Sequence, residues 1–444
     1  MTTPSSWRRL PRGSRRDLTL PCGVASLTAC KPKAGPADST RCCSNSTAIS
    51  DFHPGAHPVK VLVVAGARPN FMKVAPILAV LRRRGHAAVL VHTGQHYDAS
   101  MSDAFFRDLG MAPPDHHLEV GAGSHAQQTA RVMERFDTVL IEERPDWVVV
   151  VGDVNSTVAT ALVTAKRRPE LGCRLAHVEA GLRSGDWRMP EEVNRVVTDQ
   201  LSDLLLTHSP EADGHLAAEG IDPVRVEFVG NVMIDSLFAT VERARADAPW
   251  RDHGLQPNAY GLVTLHRPSN VDDPERLAAL VEGLGTVSQQ LPLIWPVHPR
   301  ARARLDATGI EVPPLLRLID PLGYCEMAGM LDGAAVVITD SGGLQEESTA
   351  LGVPCVTLRE STERPVTVTD GTNRMAPWPP TAAGIVETVT AALAAGRGPG
   401  SRAGRPAGWD GIAADRIVDA LEQAPRTDAR CILPAEQADA LPGA

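Results

Sequence analysis

Short apolar runs alternate with amphipathic stretches along the chain from residue 59 onward. Residues 59–65 are almost continuously apolar, which is typical of a strand buried on both faces of a parallel sheet. A helical pattern over 71–84 ends at Gly85, and a second apolar run covers 87–92. Further runs, separated by helical patterns, lie at 147–151, 174–178, 204–207 and 226–229. This alternation predicts an α/β fold in which helices cover both faces of a parallel sheet.

The alternation starts again after Gly230 and Asn231. The strands predicted there lie at 260–265, 293–297, 315–318, 334–339 and 354–358, with helical patterns between most of them. Two such sheets predict two Rossmann-like domains, at 59–230 and 231–424. Residues of the kind found in catalytic sites follow strands in both halves, so we expect the site in a cleft between the facing domains.

The two ends of the chain differ from the rest in composition. Residues 1–58 hold eight Lys and Arg against three Asp and Glu, and they show no sustained apolar period. Such a segment cannot bury a core, so we predict a disordered extension at 1–58. A targeting peptide is the alternative, although residues 21–30 are weakly apolar for the core of a signal sequence. We also expect a disordered tail at 425–444.

Overall composition narrows the class of protein. Hydrophobic residues make up 43% and charged residues 22% of the 444 positions, which is ordinary for a globular protein. The net charge of −9 argues against non-specific nucleic-acid binding, which usually needs a basic surface. No apolar run approaches the ~18 residues of a membrane helix, and the eight cysteines lack a repeated zinc-type spacing. We therefore expect a cytoplasmic protein with no metal, no nucleic-acid partner and no membrane partner.

Carboxylates follow two neighbouring predicted strands. Asp153 comes after the run at 147–151 and Glu179 after the run at 174–178, and parallel strands end at the same edge of a sheet. Residues 177–195 then concentrate acids and arginines on a loop shaped by glycines and a proline; the candidates are Glu179, Arg183, Glu191 and Arg195. An ion-paired surface loop and a helix cap at Asp153 are the structural alternatives. Two strands that each deliver an acid favour a catalytic cleft.

A glycine-containing turn at 66–73 joins the first predicted strand to the first helix. Arg68 and Lys73 would stand near the N-terminus of that helix, where a phosphate is favoured. The turn lacks a complete dinucleotide-binding or P-loop pattern, so an ordinary strand-to-helix turn remains the alternative.

A second turn, at 340–347, runs from a strand through two glycines into a helix. The Ser341 hydroxyl and the N–H groups of Gly342 and Gly343 would cradle a diphosphate, aided by the helix dipole. Glu347 lies about one helical turn further and could bind ribose hydroxyls. A capped helix with solvated acids is the alternative.

Two histidines follow predicted strands of the second half. His266 comes after 260–265, and His298 comes after 293–297. A lone histidine is more often structural than catalytic, but two at one sheet edge are candidates for the site. Neither belongs to an H-x-x-x-H or other metal-binding spacing.

Several motifs in the same order closely resemble those of one enzyme family, the non-hydrolysing UDP-N-acetylglucosamine 2-epimerases. They are Gly66-Ala-Arg-Pro-Asn-Phe-Met-Lys73, Gly94-Gln-His-Tyr-Asp98, His177-Val-Glu-Ala-Gly-Leu-Arg183, Met189-Pro-Glu-Glu-Val-Asn-Arg195 and Asp340-Ser-Gly-Gly-Leu-Gln-Glu-Glu347. The resemblance extends over about residues 59–424. It implies the two-domain GT-B fold of certain glycosyltransferases, a homodimer and a place in polysaccharide biosynthesis.

The resemblance also implies roles for individual positions. The catalytic residues would be Asp153, Glu179, Glu191 and His266. The substrate-binding residues would be Arg68, Lys73, Gln95, His96, Arg183, Arg195, His298, Ser341, Gly342, Gly343, Glu347 and Arg364. In one branch of the family, residues matching Gln95 and His96 help to bind a second, activating UDP-N-acetylglucosamine. Tyr97-Asp98 departs from the Arg-Gln or Arg-Glu of that branch, so the resemblance does not imply this activation for this chain.

The implied activity is the interconversion of UDP-N-acetylglucosamine and UDP-N-acetylmannosamine. It would proceed by anti-elimination of UDP to 2-acetamidoglucal and re-addition, without a cofactor. Clustered carboxylates would push one pKa upward, which suits acid–base work near neutral pH. Four alternatives remain: a 2-epimerase of a related UDP-2,3-diacetamido uronic acid, a hydrolysing epimerase, a GT-B glycosyltransferase and a non-catalytic nucleotide-sugar-binding protein.

Overall fold

Seven parallel strands form the first of two sheets. The computed structural model describes residues 58–94, 106, 108–397 and 405–424, so nearly all of the predicted extension at 1–58 and the tail at 425–444 lie outside the described residues. The strand order is β3-β2-β1-β4-β5-β6-β7. The strands are β1 (Lys60–Ala65), β2 (Ala87–His92), β3 (His116–His117), β4 (Trp147–Val151), β5 (Arg174–Ala180), β6 (Leu204–Thr207) and β7 (Val226–Phe228).

Helices cover both faces of this sheet. They are α1 (Arg68–Arg83), α2 (His125–Glu143), α3 (Asn155–Leu171), α4 (Pro190–Leu201) and α5 (Pro210–Ala218). Alternate residues of β1 enter two different cores, with Val61 and Val63 on one face and Leu62 and Val64 on the other. This double burial explains why the strand is continuously apolar rather than alternating.

The second sheet has six parallel strands in the order β10-β9-β8-β11-β12-β13. They are β8 (Gly261–Thr264), β9 (Leu293–Pro296), β10 (Leu316–Ile319), β11 (Val336–Thr339), β12 (Cys355–Thr357) and β13 (Asn373–Met375). The helices of this half are α6 (Val232–Asp247), α7 (Pro268–Val271), α8 (Pro274–Ser288), α9 (Pro299–Thr308), α10 (Tyr324–Gly333), α11 (Gly342–Leu351), α12 (Val366–Thr369), α13 (Ala382–Ala395) and α14 (Ala413–Gln423). The two parallel sheets confirm the predicted α/β fold with two Rossmann-like domains.

The last helix returns to the first sheet. The apolar face of α14 joins the core built on β1 and α1, and Trp147 Nε1 donates to the carbonyl oxygen of Leu421 at 3.1 Å. The helix assigned by sequence contiguity to the second domain thus packs on the first, and the division of the chain at residue 230 stays a prediction.

The chain passes from one sheet to the other twice, and these two crossings contact each other at Gly230 and Gly408. Gly230 and Gly408 both have positive φ, and a Cβ on Gly230 would overlap the carbonyl oxygen of Gly408. The N–H of Asn231 donates to that same carbonyl oxygen at 3.3 Å. Within the part of the chain that the structure describes, no helix has the length and apolarity needed to cross a membrane.

Candidate functional site

Asn70 shapes the turn between β1 and α1. Its Oδ1 accepts from the N–H groups of Gly66 and Ala67 at 2.9 Å, and its Nδ2 donates to the carbonyl of Val151 at 3.3 Å. A Cβ on Gly66 would lie 2.5 Å from Ser156 Oγ, so only glycine allows this approach to the start of α3. The turn therefore holds the carboxyl ends of β1 and β4 side by side.

Glu179 lies in β5 near its end, and its φ of 71° is in the left-handed region. Its buried carboxylate pairs with Lys73, and Arg364 Nη2 from the second domain lies 3.5 Å from the other carboxylate oxygen. A non-glycine residue in this region is strained by about 1–3 kcal/mol, and such strain collects at functional sites. The site therefore contains a carboxylate on a strained backbone position, and both domains contact that carboxylate.

The clustered carboxylates were predicted to raise the pKa of one of their members, and Glu179 is not that member. Burial alone would raise the pKa of this carboxyl, but the charges of Lys73 and Arg364 outweigh it and hold the pKa well below its ordinary value. Glu179 is therefore ionised near neutral pH. The raised carboxyl pKa occurs elsewhere, at Glu347, where burial and the neighbouring Glu346 raise it to about 8.

Asp153 follows β4, and two residues of α4 contact it. Its Oδ2 lies 2.5 Å from Arg195 Nη2, and its backbone carbonyl accepts from Asn194 Nδ2 at 2.8 Å. The neighbouring Gly152 lies against the Lys73–Glu179 pair, because a Cβ there would be 3.1 Å from Lys73 Nζ. The two predicted carboxylates Asp153 and Glu179 are thus brought together, each with its own cation.

Glu191 and Arg183 occupy contrasting surroundings. Glu191 is partly exposed in the first turn of α4, and its carboxylate makes no hydrogen bond or ion pair within the described residues. The side chain of Arg183 is largely enclosed between two acids, with Nη2 at 2.8 Å from Asp199 and Nε at 2.6 Å from Glu219. Asp199 also lies 2.6 Å from the buried His177. These contacts give Arg183 a structural role, and its predicted contact with substrate stays a prediction.

In the second domain, Asp340 organises the strand ends. Its buried carboxylate accepts from the N–H groups of His266 and Arg267 and from Asn270 Nδ2, all within 2.9–3.2 Å. It also lies 3.0 Å from His266 Nδ1, which favours the tautomer that carries its proton there. The ring of His298 lies 5.7 Å from that of His266, so the two predicted histidines are neighbours.

The first turn of α11 faces Arg364. A Cβ on Gly342 would lie 2.6 Å from Arg364 Nη1, and Arg364 Nε lies 3.1 Å from the buried Glu346. The Ser341 side chain does not cap the helix, which leaves its hydroxyl available to a ligand. Glu347 is buried and accepts from Tyr324 Oη at 3.4 Å. Arg364 therefore links the predicted diphosphate turn to Glu179.

Two further residues at the site were missed by sequence reasoning. The partly buried Arg267 guanidinium makes no ion pair among the described residues, and burial together with nearby Arg359 lowers its pKa. His208 follows β6, and neither of its buried ring nitrogens has a hydrogen-bond partner within the described chain. Burial lowers the pKa of His208 and keeps the ring neutral. Both residues follow predicted strands, so the rule that found Asp153 could have found them.

The family profile described as UDP-N-acetylglucosamine 2-epimerase matches residues 79–422, more than half of the chain. The chain belongs to the UDP-N-acetylglucosamine 2-epimerase family. Among its relatives, the UDP-2,3-diacetamido-2,3-dideoxy-D-glucuronate 2-epimerase of Pseudomonas aeruginosa is 41% identical over 71% of this chain and 87% of the relative. The UDP-N-acetylglucosamine 2-epimerase of Methanococcus maripaludis is 39% identical over the same shares.

Solved structures of UDP-N-acetylglucosamine 2-epimerases are similar to the structure of this chain. The UDP-N-acetylglucosamine 2-epimerase of Methanocaldococcus jannaschii, in complex with UDP-N-acetylglucosamine and UDP, has a TM-score of 0.71 and is 35% identical. The match covers 82% of this chain and 99% of that chain. The glycosyltransferase of kitacinnamycin, 14% identical with a TM-score of 0.54, shares the fold alone and places this chain among GT-B-like folds. This chain is thus a UDP-sugar 2-epimerase family member whose relatives act on two different sugars.

Two of the predicted family residues and the side chain of a third lie outside the structural description. Gln95 and His96 lie outside the described residues, as does the side chain of Arg68. Among the residues that the structure describes, no group of three or more His, Cys, Asp or Glu could hold a metal ion.

Proposed function

We propose that this epimerase interconverts UDP-N-acetylglucosamine and UDP-N-acetylmannosamine. The observation that carries the proposal is the contact of Glu179 with Arg364, whose guanidinium also faces the first turn of α11. A candidate acid–base carboxylate of one domain is thereby adjacent to a candidate diphosphate site of the other. The reaction needs this adjacency, because the C2 proton and the UDP leaving group are on neighbouring carbons.

The diphosphate would bind at the N-terminus of α11. The N–H groups of Gly342 and Gly343 and the hydroxyl of Ser341 supply donors, and the helix dipole favours an anion there. Lys73 and Arg195, which we predicted as counter-charges, are already paired with carboxylates. Arg267 supplies a better candidate, because its guanidinium has no carboxylate partner among the described residues.

Elimination would begin with removal of the C2 proton by a carboxylate. The C–H electrons form the C1–C2 double bond while the C1–O bond breaks and its electrons leave with UDP. A protonated carboxyl group on the other face then donates its proton to C2, whose new C–H bond takes the double-bond electrons, as an oxygen of UDP adds back to C1. Asp153, Glu179 and Glu191 are the candidates for these proton transfers. Asp340 would hold His266 near the departing diphosphate.

A second substrate is favoured by one relative. The Pseudomonas aeruginosa protein that acts on a UDP-diacetamido-glucuronate is 41% identical to this chain. Its sugar differs from N-acetylglucosamine at C3 and C6, whereas the chemistry at C1 and C2 is the same. The same three carboxylates would serve either substrate.

The test is a parallel incubation of pure protein with each UDP-sugar, followed by proton NMR. The H1–H2 coupling separates gluco from manno products. Conversion of UDP-N-acetylglucosamine to its manno epimer is expected. Conversion of the diacetamido uronate alone would make that sugar the substrate, and release of free N-acetylmannosamine would indicate a hydrolysing enzyme. Transfer of the sugar to an added acceptor would favour the glycosyltransferase alternative.

A further inference from the structure

Glu192 lies buried in the first turn of α4, beside the catalytic candidate Glu191. Its carboxylate accepts from the N–H of Ser184 and the N–H of Gly185, each at 2.9 Å, and from the Ser184 hydroxyl at 3.0 Å. It also lies 2.9 Å from Arg195 Nη1. Glu192 thus joins the loop that follows β5 to the arginine that contacts Asp153.

Arg195 is shared between two carboxylates. Nη1 donates to Glu192, and Nη2 donates to Asp153 Oδ2 at 2.5 Å. A free guanidinium would bind a carboxylate through two parallel hydrogen bonds. Glu192 holds the guanidinium by Nη1, and in that orientation Arg195 contacts Asp153 through Nη2 and one oxygen only, while its buried Nε has no hydrogen-bond partner within the described residues. Oδ1 of Asp153 makes no hydrogen bond within the described residues, and about a third of that side chain is exposed.

We propose that Glu192 is a positioning residue for the epimerisation, acting through Arg195 to leave one oxygen of Asp153 available to the C2 proton. This inference rests on the proposed function. Glu191 and Glu192 are adjacent in sequence but about 100° apart around the helix, so one is buried and saturated with donors while the other stays partly exposed. Arg195 is then assigned to Asp153 rather than to the diphosphate.

The first test is structural and independent of turnover. In Glu192→Gln a single amide oxygen replaces an acceptor that serves four donors. The N–H groups of Ser184 and Gly185 have no other hydrogen-bond partner within the described residues, whereas Arg195 can turn to Asp153. A crystal structure of the variant should therefore show Arg195 bound to both oxygens of Asp153. An unchanged single contact to Oδ2 would overturn the proposal.

The second test is a double-mutant cycle with Asp153→Asn. Misplacement of a reacting group can cost on the order of 10²-fold, so Glu192→Gln should lower kcat by up to that factor without changing the affinity for UDP. If Glu192 acts through Asp153, the double variant should be no slower than Asp153→Asn alone. If the fold-losses in kcat of the two single variants multiply in the double variant, Glu192 has an independent structural role and the proposal is refuted.

The control is Glu191→Gln, the same exchange one position earlier. It should lower turnover while its crystal structure keeps the single contact between Arg195 and Asp153 Oδ2. If Glu192→Gln fails to fold, Arg195→Lys replaces it in the double-mutant cycle with Asp153→Asn. The lysine ammonium keeps the positive charge but cannot contact two carboxylates with the fixed geometry of a guanidinium. A wild-type protein that converts neither UDP-sugar would refute the proposed function, and the crystal comparison would still decide the role of Glu192.

Discussion

Glu179 and Arg364 belong to different domains, and a carboxylate oxygen of one lies 3.5 Å from a guanidinium nitrogen of the other. Arg364 in turn lies 3.1 Å from the fully buried Glu346 of its own domain. Glu346 also accepts from Asn231 Nδ2 at 3.1 Å, next to the first chain crossing. The candidate acid–base group of the first domain is therefore held by Lys73 of its own domain and by Arg364 of the other.

Removal of the Arg364 charge should destabilise the protein. In Arg364→Met the buried Glu346 loses its cation, and breaking a buried pair in this way costs about 3–5 kcal/mol. Removal of both charges in Arg364→Met/Glu346→Gln should cost less, because no unpaired buried charge remains at that pair. Urea denaturation of the two single variants and the double variant measures these free energies of unfolding. A double variant whose loss equals the sum of the single losses would show that the pair is not coupled.

The contact of Gly230 with Gly408 should be sensitive to a single methyl group. Gly230→Ala combines a positive φ of 86° with an overlap against the Gly408 carbonyl oxygen. Gly220→Ala is a matched control, because its φ is 77° but a Cβ would meet nothing within 4 Å. The control should lose about 1–2 kcal/mol from conformation alone, and Gly230→Ala about 1–3 kcal/mol more from overpacking. Equal melting temperatures for the two variants would show that the close contact with Gly408 does not exclude a methyl group at residue 230.

The hydrophobic pattern was sufficient for most of the fold. Continuous apolar runs predicted strands such as β1 and β4 because both of their faces are buried, and no helical pattern competes with them. β13 was not predicted, because Asn373–Met375 carries no apolar run and pairs only at the sheet edge beside β12. The position of α14 was also missed, since an amphipathic helix shows which face it buries but not which sheet it buries that face against.

The candidate site was predicted as a set of residues rather than as a set of contacts. The search for acids at the ends of predicted strands found Asp153 and Glu179, which the structure places at the ends of the neighbouring strands β4 and β5. It could not assign partners among the acids and arginines of 183–195, because pairing depends on the path of the loop in space. Arg195 was therefore predicted to meet a diphosphate, whereas its two amino groups lie against Glu192 and Asp153.

Glu347 should make the free protein less stable as the pH rises. Its carboxyl has an ordinary pKa of 4.5, which burial and the nearby Glu346 raise to about 8 in the folded state. Between these values the folded protein holds a proton that the unfolded chain has released, so raising the pH favours unfolding. The stabilisation is complete below about pH 4.5 and is lost as the pH passes about 8.

Calorimetric melting from pH 5 to 9 checks this sign. Glu347→Gln stays neutral throughout, so its melting temperature should fall less with pH than that of the wild type. The difference corresponds to a few kcal/mol over the interval. Parallel pH profiles for the two proteins would show that Glu347 is ionised in the folded state.

Turnover in D2O distinguishes elimination from other routes to the manno epimer. If a carboxylate removes the C2 proton, it can exchange with solvent before a proton returns to the opposite face, so the product should carry deuterium at C2. Asp153→Asn, Glu179→Gln and Glu191→Gln should each lower the rate by on the order of 10²-fold or more, the usual size of a lost acid–base group. They should still bind UDP in calorimetry, because the candidate diphosphate contacts lie at Ser341, Gly342 and Gly343. Protium alone at C2, with full activity in all three variants, would rule out proton transfer by these carboxylates.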